Sequence, residues 1–293
     1  MGHGRWTRDE FADYSTKAGK SYDRTTDRVS GQTFKVLQLD KSLDPKNVVR
    51  TCVNTDEHPN TIPVILALDV TGSMGGACQE TAECLGKIMT DLYGKYTDIE
   101  FMMMGIGDLA YDDAPIQASQ FESDVRIAEA LDKIYMEHGG GGNKYESYTA
   151  AWYFGLHHTK LDAFDKQGRK GIIITMGDEP LNPYLPFARL NEVTGDKNQA
   201  DIETGELYNE ASNKFDIYHI GVNDSKASFS YFKNDIAKTF GELLNNNYKI
   251  ATINTLGSTI CECIDDSIAK NPIGVTGGAG FSFTNSNDDG ISW

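Results

Sequence analysis

A chain of 293 residues is long enough for one large α/β domain with decorations or for two small ones. A formal net charge of −16 and a pI near 4.7 argue against nucleic acid or an anionic membrane as partner, and no run of about 18 apolar residues is present to span a bilayer. Five cysteines form no dense framework and the first ten residues hold no apolar signal-peptide core, so a reduced, cytoplasmic setting is expected.

Residues 1–30 are polar, the pattern of an arm that folds only against a larger body. Gly19-Lys20-Ser21 fails as a phosphate loop, because the motif needs a glycine five residues before Gly19 and position 14 is Tyr. Thr33-Phe-Lys-Val-Leu-Gln-Leu39 predicts an extra strand, and residues 43–59 read as loop. Pro63-Val-Ile-Leu-Ala-Leu-Asp69 is almost continuously apolar, which predicts a central parallel strand covered on both faces. Gly75-Gly76 then releases a helix over about 77–94, with Ala77, Cys84, Leu85, Ile88, Met89 and Leu92 at helical spacing. Ile99-Glu-Phe-Met-Met-Met-Gly-Ile106 is a second strand whose methionines fill the core. Helices are predicted over 121–137 and 146–156, on either side of a glycine run.

Lys170-Gly-Ile-Ile-Ile-Thr-Met176 is a further buried strand, and residues 181–212 read as an irregular polar insertion with helical patches. Phe215-Asp-Ile-Tyr-His-Ile220 predicts the next strand, then a helix over 230–245, a last strand over 248–253 and a last helix over 258–269. This alternation predicts an α/β fold, doubly wound, with a mostly parallel central sheet and helices on both faces. An N-terminal extension, 1–59, is expected to pack on the main domain, 60–270, and a Gly-, Asn- and Ser-rich tail, 271–293, to be flexible.

Four strand ends are polar: Asp69-x-Thr71-x-Ser73, Gly107-Asp108, Gly142-Asn143-x-x-Glu146 and Gly177-Asp178. In a doubly wound sheet such ends converge on the edge where ligands bind. A carboxylate followed by two hydroxyls at two-residue intervals offers hard oxygen donors, suited to Mg²⁺, which keeps several waters. Plainer readings exist for each group. Asp69, Thr71 and Ser73, or Asn143 and Glu146, are also residues that favour helix N-termini. Asp108, Asp112 and Asp113 are either a second cation site or gating contact, or an acidic loop. Glu179 either supports Asp178 or faces solvent. Cys261-Glu-Cys263 gives two soft ligands without a second pair. The adjacent His157 and His158 point to different sides of a helix, one for packing and one for the surface.

Taken in order, Asp69-Val-Thr71-Gly-Ser73-Met74, Gly140-Gly-Gly-Asn143-Lys-Tyr-Glu146 and Gly177-Asp178-Glu-Pro180 resemble the three loops of the metal-ion-dependent adhesion site of von Willebrand factor type A (VWA) domains. The last two are nearest the branch that includes von Willebrand-like kinases and hemicentins, with Asn143 in place of an Asp; no kinase signature accompanies them. Thr71 stands where Ser is commoner and keeps the hydroxyl. The resemblance covers about 60–225. It implies a VWA, Rossmann-like fold and a Mg²⁺ ion, with Mn²⁺ or Ca²⁺ as alternatives. The ligands implied are Asp69, Thr71, Ser73, Asn143, Glu146 and Asp178, the last acting directly or through a water.

One metal position is left open in such domains, and an Asp or Glu of a partner protein completes it. The expectation is therefore a metal-dependent protein-binding module, a subunit or adaptor of a larger intracellular assembly and not an enzyme. Related intracellular VWA proteins often work with AAA+ ATPases or in stress and defence systems, which suggests partner classes. The alternatives are a metal-dependent hydrolase at the same site, with Glu179 or His138 as base, and an interaction module whose metal is purely structural. Neither nucleic acid nor membrane is expected as a partner. Specificity is expected to lie in 1–59 and 181–212.

Overall fold

The structure, a computed structural model, describes residues 4–137, 143–223 and 229–271. The chain begins with α1 (Arg8–Lys17), a hairpin of β1 (Ser21–Asp23) and β2 (Arg28–Ser30), and β3 (Arg50–Cys52). There follow β4 (Ile62–Asp69), α2 (Gly75–Tyr93), β5 (Ile99–Ile106), β6 (Ile116–Ala118), α3 (Arg126–Asp132), α4 (Thr149–His157), β7 (Thr159–Leu161) and α5 (Asp162–Asp165). Next come β8 (Gly171–Gly177), β9 (Tyr184–Leu185), α6 (Phe187–Thr194), β10 (Ile202–Glu203), α7 (Thr204–Lys214), β11 (Phe215–Val222), α8 (Phe229–Leu244), β12 (Tyr248–Ala251) and α9 (Leu256–Lys270).

The main sheet has the order β12-β11-β8-β4-β5-β6. All neighbours run parallel except β6, which pairs antiparallel with β5. The fold is thus a doubly wound, Rossmann-like α/β sheet, as the alternation predicts. Strand β4 sits inside the sheet with every residue buried, which is why its apolar run is continuous and not alternating. Val64, Leu66 and Leu68 face a core shared with α1, α2, α3 and α9. Ile65 and Ala67 face the other core, shared with α4, α7 and α8. The chain leaves β4 towards β5 on one side and returns later to β8 on the other. The crevice beyond Asp69 is therefore a topological switch point, where the connecting loops part.

Several predicted elements differ. The stretch 33–39 is not a strand: Phe34 takes a left-handed φ of +54°, which breaks an extended run, and Leu37 is 87% exposed. Phe34 and Leu39 instead pack on the first core. The helix expected over 121–137 shrinks to α3. At its start, Phe101 and Glu122 exchange backbone hydrogen bonds of 2.8 and 2.9 Å, holding that segment against the sheet. At its end, Gln117 grips Tyr135 through two side-chain bonds of 2.8 Å to backbone N–H and C=O, which pins the chain out of the helix.

The stretch 181–212 is more regular than its polarity suggests. It holds α6, the β9–β10 pair and most of α7, which packs against α4. Lys214, 8% exposed at the end of α7, donates to the carbonyls of Gly155, Leu156 and Thr159 and so closes the end of α4. The first fifty residues also have tertiary roles. Trp6, Phe11, Val29 and Leu43 enter the core, and β3 pairs in parallel with β7. The C-terminal stretch 272–293 lies outside the described residues.

Glu100 is the odd member of β5, 2% exposed beside Cys52. Burial raises its pKa to about 7. An acid whose folded pKa lies above its unfolded value binds more protons when folded, so its contribution falls as pH rises from about 4.5 through 7. Replacing it with Gln removes that slope. Urea unfolding of Glu100→Gln beside the native chain should show the stability difference moving in favour of the variant by about 2–3 kcal/mol between pH 4.5 and 8.

Candidate metal centre

The site grows from the ends of three adjacent strands. Asp69 closes β4, Asp108 follows β5 and Asp178 follows β8. Asp69 and Asp178 are fully buried and Asp108 is 2% exposed. The Asp69 carboxylate is held by neutral donors. Its Oδ1 accepts from the Thr71 amide at 2.9 Å and the Thr71 hydroxyl at 2.5 Å, and its Oδ2 accepts from the Tyr148 hydroxyl at 2.7 Å. Ser73 Oγ donates to Asp178 Oδ1 at 3.1 Å and so ties the first loop to the third.

Helix capping does not account for these side chains. Helix α2 starts after a short 3-10 turn, with Met74 as N-cap and no side-chain cap. Helix α4 has Tyr148 as N-cap, again with no side-chain bond. Asn143 instead donates to Asp108 Oδ2 at 2.6 Å. Glu146 is 4% exposed and bridges to Leu181, and its Oε2 is buried without a hydrogen-bond partner among the described residues. The rest of the second loop, Gly139 to Gly142, and His138 before it lie outside the described residues.

Three more carboxylates lie close by or contribute. Asp112 is 6% exposed, and its Oδ2 accepts from the Asp108 amide at 2.6 Å. It lies over Gly107, where a Cβ would overlap that same oxygen. Asp113, the third member of that acidic run, is exposed. Glu179 does not face solvent freely, contrary to the plainer reading of it; it is half-buried, and its amide donates to the Tyr148 hydroxyl.

This crowding shows in the proton affinities. Burial first, and then the charges of Asp69, Glu179, Asp112 and Asp108, push the Glu146 carboxyl far above its ordinary range. Burial and the Asp178 charge raise Asp69 against the pull of the Thr71 and Tyr148 bonds. Burial raises Asp112 to about 6 and Glu179 to about 7, with neighbouring carboxylates adding to each. Like charges removed from water at this density are costly unless protons or a cation neutralise them.

All six predicted ligands thus lie at one end of the sheet: Asp69 is tied to Thr71, Ser73 to Asp178 and Asn143 to Asp108, while Glu146 feels the charges of Asp69 and Asp108. Among the described residues no three His, Cys, Asp or Glu side chains converge closely enough to hold a metal alone. The donors at this end of the sheet are oxygens, from carboxylates and from the Thr71 and Ser73 hydroxyls. The Cys261-Glu-Cys263 pair is remote, on α9, and His158 bonds to Val48 and Asp196 and not to this centre.

Tyr148 is the residue that pattern reading passes over. Its ring is fully buried against His219 and Phe240, and its hydroxyl reaches Asp69 across Gly177. Nothing in the sequence marks it beyond its place two residues after Glu146.

No family model and no curated protein matches the sequence. Among solved structures, the chain is similar to the pilus adhesin SpaC from Lactobacillus rhamnosus GG in its open conformation. That similarity has 12% identity and a TM-score of 0.49, over 77% of this chain and 31% of that one. The chain is also similar to the vWF domain of the type V pili tip protein Mfa5 from Porphyromonas gingivalis, at 11% identity and a TM-score of 0.42 over 74% of this chain and 98% of that one. The chain thus spans less than a third of the SpaC chain.

A Cβ at position 177 would overlap the Tyr148 hydroxyl and ring. Gly177→Ala should therefore lower stability in urea by about 2–3 kcal/mol, the cost of overpacking a tight core. Combined with Tyr148→Phe, which removes the most crowded atom, the loss should be less than the sum of the two single losses.

Proposed function

We propose that the sheet end around Asp69 is a divalent-cation site of VWA type, and that the chain is a protein-binding module whose ion is completed by a carboxylate of its partner. The observation that carries this reading is Glu146 Oε2. It is a buried carboxylate oxygen without a hydrogen bond among the described residues, set beside further buried acids whose proton affinities are raised. A folded protein keeps such a group where a cation is bound. The donor set is oxygen only and partly neutral, so the ion proposed is Mg²⁺, with Mn²⁺ or Ca²⁺ as substitutes. Asp69, Thr71, Ser73 and Asp178 would hold it directly or through waters. Asn143 and Glu146 would close the side towards Asp108.

Each protein group has a defined part. Tyr148 and the Thr71 amide fix the Asp69 carboxylate, so it is already oriented before any ion arrives. Ser73 is half-exposed and Gly72 exposed, which leaves the first loop open to an approaching partner. Few formal charges on the nearest ligands leave the ion electrophilic, and an incoming Asp or Glu gains strongly from that. The branch proposed is the one with the Gly-Gly-Gly-Asp-x-x-Glu second loop, supported by Asn143, Glu146 and Pro180. The setting proposed is intracellular and reducing, on the odd count of five cysteines, with an AAA+ ATPase or a stress or defence component as the partner class.

Calorimetric titration with Mg²⁺ is the direct test. The native chain should bind one ion saturably, and Asp69→Ala and Asp178→Ala should each weaken binding at least about tenfold. Mg²⁺ at about 100 times its dissociation constant should stabilise the native chain by about 2.7 kcal/mol and Asp69→Ala by no more than about 1.4 kcal/mol. No binding of Mg²⁺, Mn²⁺ or Ca²⁺ would remove the metal reading. Metal-dependent cleavage of an ester or phosphoester panel would replace the binding module by a hydrolase.

A further inference from the structure

One cavity runs against the charge of the whole chain. It lies between the 41–50 loop, the end of β6 and α3, and measures about 300 Å³. Its charged lining is four cations, Lys41, Arg50, Arg126 and Lys133, against two carboxylates, Glu122 and Glu129, in a protein of net charge −16. Arg126 is already satisfied, since it pairs with Glu122 at 3.1 Å and Asp124 at 2.8 Å. The other three cations have no carboxylate within ion-pair distance among the described residues.

Arg50 is the centre of this excess. Its Nη2 donates only to neutral carbonyls, those of Ser42 and Ala118 at 2.8 Å and of Asp44 at 3.4 Å. Its Nε is buried with no partner among the described residues. Burial accordingly holds the guanidinium below its ordinary pKa, against a pull from Asp44. The two acids near the rim are bonded within their own loops: Asp40 accepts from the Ser42 amide and hydroxyl, with the Lys133 charge acting on it from a distance, and Asp44 accepts from the Lys46 amide. A half-buried guanidinium whose nearest acid, Asp44, makes no ion pair with it is costly until an anion meets it. Arg presents a planar fork that suits carboxylate and phosphate oxygens, and two lysines beside it add point charges.

We propose that this cavity binds a small oxyanion, a phosphoryl or carboxylate group, through Arg50 with Lys41 and Lys133. The site stands apart from the acidic centre and does not depend on a metal there.

The test is calorimetry on the full chain in EDTA, at fixed ionic strength with chloride as reference, using inorganic phosphate in one arm and citrate in the other. Saturable binding is expected in at least one arm, and the arm that binds tells a phosphoryl ligand from a carboxylate one. The Lys41→Gln/Lys133→Gln double variant removes two side chains that make no hydrogen bond or ion pair among the described residues, and only the long-range pull of Lys133 on Asp40 is lost, so its urea midpoint should move little. Its affinity for the anion should fall at least about tenfold. Absence of saturable binding in both arms, or equal affinity in the double variant at an unchanged midpoint, would overturn the proposal.

Discussion

The repulsion among carboxylates gathered at the ends of β4, β5 and β8 is the constraint to which the upper half of the molecule answers. Asp69, Asp108, Asp112, Glu146 and Asp178 are all nearly or fully buried. All but Glu146 are fixed by hydrogen bonds among the described residues. Here the fixing is done by neutral donors: Thr71 and Tyr148 on Asp69, Ser73 on Asp178, Asn143 on Asp108 and the Asp108 amide on Asp112. Neutral donors orient an anion without cancelling it, so the negative potential of the pocket survives the folding that builds it. An internal lysine or arginine in that place would have spent the potential on the protein itself.

The position of the centre follows from sheet topology more than from its own side chains. β4 is flanked by β5 and β8, which the chain reaches in opposite directions, and helices leave the strand ends towards opposite faces. That divergence opens room above Asp69. Gly177 and Gly107 then let Tyr148 and Asp112 come in close to the backbone, which no residue with a Cβ would allow. The basic cavity around Arg50 sits by the edge strand β6, so the charge of the molecule is distributed unevenly despite its acidic total.

Much of this was legible in the residues. The buried strands β4, β5, β8 and β11 announce themselves because a central parallel strand must be apolar on both faces, and the first loop is legible because its three oxygen-bearing residues are neighbours in sequence. Other features have no such local mark. The 33–39 run has the composition of a strand, yet it pairs with no strand among the described residues, and Phe34 turns out of the extended region. The 121–137 run has helical spacing, but backbone pairing with Phe101 and the grip of Gln117 on Tyr135 win at its two ends. The polarity of 181–212 hid α7, whose inner face carries Leu207 and Ala211 into the core with Tyr208 packed against it. Tyr148 is visible only in three dimensions, as is the burial of Glu179 beside it.

The adjacency of β4 and β8 has a kinetic side. Asp69 and Asp178 come from strands about a hundred residues apart, with β5, β6, β7 and the four helices α2 to α5 between them in the chain. A contact between such distant segments closes late, because the loop entropy is lost before any pairing rewards it. During synthesis β4 emerges first and must wait for β8, with α1 and the β1–β2 hairpin able to cover α2 in the meantime. No fragment that ends before β8 contains the acidic centre. Whatever ligand selects that centre therefore selects chains in which β8 has docked beside β4, and discriminates them from chains in which it has not.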